Sequence, residues 1–538
     1  MYLARRIRRH WLFGLVLVAA LALRVLASLA FRPIMWFGGD SASYLATGLR
    51  LIPDPARVGG YGFFLWALRP LHSFAVVAAL QHLMGLAMGV LIYLLARRYG
   101  LPAWGATLAA VPVLFDAYEL QLEGDAVPGA PFGLLVVLAL YLLLRTPGER
   151  RPARTAAAAF LLGVSALLWP VGLALLAVLL AALLTGLLIR RTGTVTVLAA
   201  LLAGALPVAA YAGWFSVHQH KFSLTRSDGV YLWSRTMSFA DCAVIRPPAG
   251  ERVLCPPAGP RMVRGSASLY IWDGNSPLLT MPGGRFSART NTLALHFALR
   301  AIAAQPAGYA AAVGHDFALS FYWDRPVHPD AAIVHRYQFA DAATAWVPAT
   351  LWTPGGGTLA GDQAAYNHGR PAPTRAVPPY ASWLVSYQRF AYLPGTLLGV
   401  ILLAGLAAMA ARRRFRELQG PGLPWAFAVT ILLVPPLIAD FDLRYVVPAV
   451  PAACLAAALA LVPARPGPGG RAPGERAPGE RAQRRWTTSP AATATSAPDD
   501  TRTSSLPSGS TPTAGPESVL PPGSSARMLR PMVADRPV

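Results

Sequence analysis

Two polar side chains stand out at the first long apolar run, where polar groups are costly and often functional. Asp40 lies in the stretch GGDSASYLATG (38–48), shortly after that run. It could take a proton from an acceptor hydroxyl or hold a metal ion, or it could simply cap a short surface helix over 43–51. Arg24 lies inside the run, about 10 Å from its outer end. There it would either snorkel to the membrane surface or pair with a carboxylate or phosphate inside the bundle.

Two further polar groups follow later in the chain. A predicted short turn carries carboxylates that are either solvated or functional, namely Asp116, Glu119, Glu123 and Asp125. The stretch DFDLRYVVP (440–448) opens the last apolar run, and Arg444 offers a fork of donors that matches phosphate oxygens. Tyr445 adds a hydroxyl, although Arg and Tyr also favour the headgroup level as anchors. We interpret His82 as an interhelical hydrogen bonder rather than a ligand.

Several function classes are not indicated by this sequence. It contains no HExxH, no paired CxxC and no Gly-rich phosphate loop, so neither a zinc protease nor a nucleotide-driven pump is favoured. The net charge of +22 could suggest nucleic acid, but the arginines lie in short clusters between apolar runs. That pattern is typical of cytoplasmic loops that set membrane topology.

The elements that must position these side chains are long apolar helices. The 538 residues are 54% hydrophobic and only 13% charged. Apolar runs cover about 11–31, 75–96, 103–119, 127–144, 155–170, 172–189, 194–215, 392–411, 423–439 and 446–462. Ten crossings put every arginine cluster on the side of the N-terminus, and these clusters contain Arg5, Arg6, Arg8, Arg9, Arg97, Arg98, Arg145, Arg150, Arg151, Arg154, Arg190, Arg191, Arg412, Arg413, Arg414, Arg416 and Arg465. The sequence predicts an all-α polytopic membrane bundle of about ten transmembrane helices.

The predicted topology is that of a multi-pass protein of the cytoplasmic (inner) membrane, with both termini on the inner side. The first run is read as a membrane helix, since no small-residue cleavage site of a signal peptide follows it. Segments 32–74, 119–125, 216–390 and 440–444 then face outward. We expect an N-terminal transmembrane module (1–215), an extracytoplasmic mixed domain (216–390), C-terminal transmembrane helices (391–464) and a disordered tail (465–538) rich in Pro, Gly, Ser and Thr.

The three cysteines divide into two kinds. Cys454 lies in an apolar run and is expected to be an inert core thiol. Cys242 and Cys255 lie in the predicted outer segment, where an oxidising compartment would favour a disulfide between them. The alternative is two unrelated thiols.

These features, in this order, resemble the GT-C superfamily of membrane glycosyltransferases. The chain looks most like the bacterial phospholipid-carrier-dependent members, of the protein mannosyltransferase and aminoarabinose transferase type. The match rests on Arg24, on Asp40 within GGDSASYLATG in the first outer loop, on Glu123 and Asp125, on Trp169-Pro170, and on Asp442-Leu443-Arg444-Tyr445 followed by Pro448 and Pro451. It departs from the family at Gly60-Tyr61-Gly62-Phe63, where members often have a proline after the aromatic residue, and in the acidic second loop.

The resemblance implies an inverting transfer of a sugar from a polyprenyl-phosphate carrier to an acceptor hydroxyl of a cell-envelope glycan, lipid or protein. Asp40 would be the base, with Glu123 and Asp125 as further catalytic candidates. Arg444, with Arg24 or Tyr445, would bind the departing phosphate, and Tyr44 would line the substrate site. No cofactor is assigned beyond the lipid-linked donor, and a divalent metal is left open.

Two rival interpretations come from other function classes. A transporter or lipid flippase would usually show repeated halves and helices broken at the midplane. No internal repeat is visible here, and the polar residues gather at the predicted outer surface. A non-catalytic cell-envelope scaffold would leave Asp40 and Arg444 dispensable.

Overall fold

The computed structural model describes residues 2–145, 151–256, 267–328, 330–340, 347–412 and 420–462, and its side chains from His10 onward. The chain divides into two units, Met1–Ala464 and Arg465–Val538, and the described residues belong to the first. The predicted disorder of 465–538 therefore lies outside the described residues. So do Arg150, Arg413, Arg414, Arg416 and Arg465 of the predicted clusters.

Helices dominate the described residues. In chain order they are α1 Tyr2–Ala30, α2 Gly38–Arg50, α3 Gly60–Leu68, α4 Phe74–Tyr99, α5 Ala103–Phe115, α6 Ala117–Gly124, α7 Gly129–Leu144, α8 Pro152–Leu168, α9 Val171–Leu188, α10 Thr194–Gln219, α11 Asp228–Thr236, α12 Cys242–Ile245, α13 Ala267–Trp272, α14 Ala288–Ala304, α15 Pro306–Leu319, α16 Ala331–His335, α17 Leu359–Tyr366, α18 Tyr380–Tyr387, α19 Gly395–Ala411, α20 Gly422–Ile438, α21 Leu443–Val446 and α22 Ala449–Leu461. Short 3-10 turns cover Arg69–Leu71, Ala249–Leu254 and Pro277–Leu279.

Each of the ten predicted apolar runs falls on one or more of these helices. Five segments are long and apolar enough to cross a membrane: His10–Ala30, Phe74–Tyr99, Val171–Leu188, Thr194–Gln219 and Leu443–Leu461. The other runs correspond to shorter apolar helices, namely α5, α7, α8, α19 and α20. The described part of the chain is therefore mainly helical with five segments of membrane-spanning length, and the count of about ten crossings stays a prediction.

Small residues let two of the apolar helices approach closely. Gly163 on α8 faces Gly204 on α10, and a Cβ at either position would collide with atoms of the neighbouring helices. Without a hydrophobic driving force between helices in lipid, such close backbone contact is a main source of association energy. The pair holds α8, the helix that leads to Trp169, against α10.

The start of α2 differs from the prediction for Asp40. Helix α2 begins at Gly38, whose φ of +51° suits glycine. The hydroxyl of Ser41 accepts a hydrogen bond from the Phe37 amide at 2.8 Å. Asp40 lies in the first helical turn and makes no cap, so the interpretation of Asp40 as an N-cap was wrong. Its carboxylate is free to point away from the helix end.

The acidic stretch after α5 is a buried helix rather than a solvated turn. Asp116 caps α6 by accepting hydrogen bonds from the amides of Tyr118 (2.8 Å) and Glu119 (3.3 Å). Glu123 and Asp125, at and after the end of this helix, are fully buried. The prediction of a short turn missed this helix because eight residues carry too little periodic signal.

The predicted mixed domain at 216–390 is mainly helical in its described part. A core of its own includes Trp233, Leu254, Tyr270 and Phe297. The strands are only two residues long: β1 (Phe31–Arg32) pairs antiparallel with β4 (Arg375–Ala376), and β2 (Trp352–Thr353) with β3 (Gly357–Thr358).

The predicted disulfide is present. Cys242 and Cys255 are bonded, with their Cα atoms 6.1 Å apart. The bond ties α12 to the 3-10 turn at Ala249–Leu254. Cys454 is free and buried, as expected of a core thiol.

Candidate functional site

Asp40 lies at the centre of a cluster of charged side chains. Arg57 donates from Nε (2.6 Å) to Oδ1 and places a terminal guanidinium nitrogen 2.5 Å from the same oxygen. Arg444 donates from Nη1 to Oδ2. The carboxylate is thus held at both oxygens by two guanidinium groups, and its side chain is 13% exposed.

Arg444 is oriented by the residues around it. Asp442 caps α21 by accepting from the Arg444 amide at 3.1 Å, and its Oδ2 lies 2.8 Å from Arg444 Nε. The hydroxyl of Tyr337 donates to the other oxygen of Asp442. The rings of Phe37 and Tyr445 lie 5.8 and 5.6 Å from the guanidinium carbon. The short helix α21 therefore brings the charge of Arg444 to Asp40, although the two residues are 404 positions apart in the chain.

Arg57 was not singled out by the sequence analysis. It lies between α2 and α3, 3.8 Å from Asp54, and its guanidinium carbon lies 4.9 Å from the ring centre of Trp272. The predicted outer segment 32–74 also holds Arg32, Arg50 and Arg69, so no sequence signal singles out Arg57.

The two arginines control the charge of Asp40. Burial by itself would raise the pKa of this carboxyl group, but Arg57 and then Arg444 outweigh it and lower the pKa to about 2. Asp442 differs, since burial dominates over Arg444 and raises its pKa. Asp40 is therefore ionised at any physiological pH, between two cations that are suited to bind anions.

Tyrosines surround this cluster. Burial, followed by the charge of Asp40, raises the pKa of Tyr44 on α2, so its hydroxyl stays a neutral donor. Burial likewise raises the pKa of Tyr231 on α11, which faces Arg57, Asp40 and Arg444. The Tyr445 ring packs 5.3 Å from Trp169, in the loop between α8 and α9. Tyr231 is a further residue that the sequence analysis missed.

Arg24 and Glu123 form a second, separate cluster. Arg24 donates to Glu123 at 2.7 Å, and His82 Nδ1 lies 2.9 Å from the other carboxylate oxygen. Gly85 leaves the space that this carboxylate occupies. Arg24 is 2% exposed and also donates to the carbonyl of Leu114 at 2.8 Å, so it does not snorkel. The described contacts join neither Arg24 nor Glu123 to Asp40 or Arg444.

Asp125 lies next to the first loop but is not joined to Asp40 by any described contact. The Met35 amide donates to the Gly124 carbonyl and the Ala126 amide to the Met35 carbonyl, both at 2.9 Å. These bonds bring the two acidic loops together at Met35. Asp125 Oδ2 accepts from Gln121 at 2.7 Å, and burial raises the pKa of its carboxyl group well above the usual range. A protonated Asp125 would be a donor rather than a base.

Among the described residues, no three His, Cys, Asp or Glu side chains group in a way that could hold a metal ion. The divalent metal that the sequence left open stays open.

Comparison with solved structures finds distant likenesses. Oligosaccharyltransferase from Archaeoglobus fulgidus, tethered to an acceptor peptide, matches with 13% identity and a TM-score of 0.36, over 84% of this chain and 49% of that chain. The same enzyme with an inhibitory peptide and a dolichol-phosphate gives 14% and 0.36, over 84% and 50%. ArnT from Cupriavidus metallidurans bound to undecaprenyl phosphate gives 13% and 0.33, over 82% and 77%.

The matched structures are thus those of an archaeal oligosaccharyltransferase and of ArnT. The chain spans about half the length of the archaeal oligosaccharyltransferase. No family model and no curated protein matches the chain.

Proposed function

We propose that the chain is an inverting glycosyltransferase. It moves a sugar from a polyprenyl-phosphate carrier to an acceptor hydroxyl at the outer face of the cytoplasmic membrane. The contact of Asp40 with Arg444 supports this proposal most directly. It places an ionised carboxylate next to a guanidinium, a cation suited to bind phosphate, beside apolar helices. A carboxylate and a guanidinium side by side suit a reaction that removes a proton and releases an anion.

The transfer step is a single displacement. Asp40 takes the proton of the acceptor hydroxyl, and the oxygen forms a bond to the anomeric carbon. The bond from that carbon to the phosphate oxygen breaks, and its electron pair leaves with polyprenyl phosphate. Arg444 and Tyr445 donate to the phosphate as its charge develops, which favours the transition state over the bound donor. Attack opposite the leaving group inverts the anomeric centre.

The second cluster has a different role in this proposal. Because Arg24 and His82 both contact Glu123 and all three are buried, we assign them to positioning rather than to substrate contact. They join α1 and α4 to the end of α6, whose backbone contacts the loop that leads to Asp40. Asp125 stays a candidate for a hydrogen bond to the acceptor, as a neutral carboxyl group next to this loop. Tyr44 is proposed to line the sugar site.

The same geometry supports the proposed lipid carrier, and the predicted arginine clusters support the proposed membrane side. Arg444 is the second residue of the apolar segment Leu443–Leu461, so the charged cluster lies at one end of a segment of membrane-spanning length. A phosphate with a long prenyl tail can place its tail along such helices and its charge at their end. We propose that this end is extracytoplasmic, together with residues 216–390.

A glycan comparison tests the proposed function. Cell-envelope glycans and lipids are compared by mass spectrometry between a deletion strain and its parent. We expect one sugar substituent to be missing and to return with the wild-type gene, but not with Asp40→Asn. Arg50→Gln is the matched control, since Arg50 lies on the same helix as Asp40 but pairs with Asp362 at 2.5 Å. The gene with Arg50→Gln should restore the sugar. Identical glycans in parent and deletion strain would contradict the proposal.

A further inference from the structure

The carboxylate of Asp40 is occupied in the absence of substrate. Arg57 binds Oδ1 through Nε at 2.6 Å and through a terminal nitrogen at 2.5 Å, while Arg444 binds Oδ2. Both oxygens therefore already accept charged hydrogen bonds, and a carboxylate held in this way is a weak base. The base in the proposed reaction must lose at least one of these partners before it can take a proton.

Arg57 is the partner that can leave. Arg444 also has Asp442, which lies 2.8 Å from its Nε and caps its helix. For Arg57 the next carboxylate is Asp54, at 3.8 Å. Asp54 is already committed, because it accepts from the Ser43 hydroxyl and from the Ala56 amide. Without Asp40, Arg57 would thus be a half-buried cation, 18% exposed, that needs another anion.

We propose that Arg57 binds the phosphate of the lipid-linked donor, and that it does so by exchanging its ion pair with Asp40 for that phosphate. Asp40 then becomes an effective base only when donor is bound. This inference rests on the proposed function and adds an order of events, in which donor binding precedes activation of the acceptor. The exchange replaces one anion by another at the same guanidinium, so no charge is left uncompensated on Arg57.

The geometry of Arg57 suits this exchange. A guanidinium can bind two phosphate oxygens in parallel, as it can a carboxylate. The Trp272 ring, 4.9 Å from the guanidinium carbon, supports the planar group while its partners change. Arg57 lies in the connection between α2 and α3, where a small rearrangement costs less than within a helix.

A double-mutant cycle on ligand binding tests the exchange. The probe is a polyprenyl monophosphate, titrated into the purified full chain in nanodiscs. If Asp40 and the phosphate compete for Arg57, Asp40→Asn should bind the probe about tenfold more tightly than wild type. Arg57→Gln should bind it about tenfold more weakly. In the Arg57→Gln background, the gain from Asp40→Asn should be clearly smaller, because only the release of Arg444 remains.

Two controls keep the cycle interpretable. Arg50→Gln, which breaks an ion pair elsewhere on α2, should bind the probe as wild type does. Arg57→Lys keeps the positive charge but loses the fork, so it should bind with intermediate affinity. Elution volume and thermal unfolding of each variant in nanodiscs check that it is folded.

The outcomes separate the two proposals. If Asp40→Asn tightens binding equally with and without Arg57→Gln, general electrostatics explains the gain and the exchange is wrong, while the proposed function stands. If Asp40→Asn does not tighten binding at all, the exchange is likewise wrong. If the wild-type protein does not bind the polyprenyl phosphate, the proposed function itself fails.

Discussion

At the scale of single residues, the site depends on the ionisation of Asp40. Two arginines from distant parts of the chain lower its pKa to about 2 against the effect of burial. With a single cation, the effect of burial, which raises the pKa of Asp40, and the attraction of the cation, which lowers it, would be closer to balance. The pair therefore ensures that the carboxylate is charged whenever substrate arrives, and it limits how basic that carboxylate is.

The pH dependence of transfer tests this ionisation. The folded pKa lies below the ordinary value of 3.8, so Asp40 stays ionised as the pH falls and protonates only near pH 2. Removing Arg57 leaves burial less opposed, and the pKa should rise by at least about one unit. We expect the acid limb of kcat/KM in Arg57→Gln to move to higher pH by the same amount, since kcat/KM reports the free enzyme.

The arginines and tyrosines around Asp40 do not produce this limb, since tyrosines are neutral in acid; they are Arg57, Arg444, Tyr44, Tyr231, Tyr337 and Tyr445. Asp442, which pairs with Arg444, can add an acid limb of its own because burial raises the pKa of its carboxyl group, and Arg57→Gln should leave that limb in place. Arg50→Gln serves as the control and should keep the wild-type profile. Superimposable profiles of wild type and Arg57→Gln would show that Arg57 does not set the pKa of Asp40.

At the scale of elements, the ends of three helices position the residues of the site and of the loop beside it. Helix α2 begins at Gly38 and presents Asp40 in its first turn, and α21 presents Arg444 in a turn capped by Asp442. The end of α6 meets Met35 through backbone hydrogen bonds. Asp40 and Arg444 could be predicted from the sequence because each adjoins an apolar run on the same predicted side.

The rest of the site could not be predicted from sequence patterns. The partner of Arg24 is Glu123, 99 positions away, and nothing in the spacing favours Glu123 over Glu119. Arg57 lies in a loop whose fold depends on contacts with Asp40, Asp54 and Trp272. Local patterns define helices well, but they carry no information on which loops meet.

The buried cluster of Arg24, Glu123 and His82 should be essential for stability. Glu123→Gln removes the charge opposite Arg24, whose side chain is only 2% exposed, and leaves a buried cation without its partner. Breaking a buried ion pair from one side costs about 3–5 kcal/mol. We expect a clearly lower thermal unfolding temperature in detergent.

Two variants complete that test. Lys221→Gln breaks the exposed pair of Lys221 with Asp228 and should change the unfolding temperature little. Arg24→Leu combined with Glu123→Leu removes both charges and should be less destabilised than Glu123→Gln alone. A Glu123→Gln protein as stable as wild type would exclude the cluster as a structural tie between α1, α4 and α6.

At the scale of the whole molecule, the proposal requires that the charged cluster and residues 216–390 share the outer side of the membrane. Within the residues that the structure describes, five segments have membrane-spanning length, and the shorter apolar helices leave the number of crossings to be measured. The predicted arrangement of arginine clusters fixes the sides that experiments should find.

Cysteine labelling in intact cells checks these sides. Arg300→Cys replaces a side chain that is 51% exposed in the predicted outer region. Gly193→Cys is the matched position between α9 and α10, where a new side chain meets no neighbour. A membrane-impermeant maleimide should label Arg300→Cys in intact cells and Gly193→Cys only after permeabilisation. The reverse labelling pattern would show that the predicted topology is inverted.

The measurement that tests the central proposal most directly is sugar transfer by purified Asp40→Asn protein in nanodiscs. Asparagine keeps the size of the side chain but cannot accept the acceptor proton. With a polyprenyl-phosphate-linked sugar as donor, we predict a loss of about 100-fold or more in kcat, with unfolding temperature and elution retained. Transfer at the wild-type rate would remove Asp40 from the chemistry and contradict the proposed mechanism.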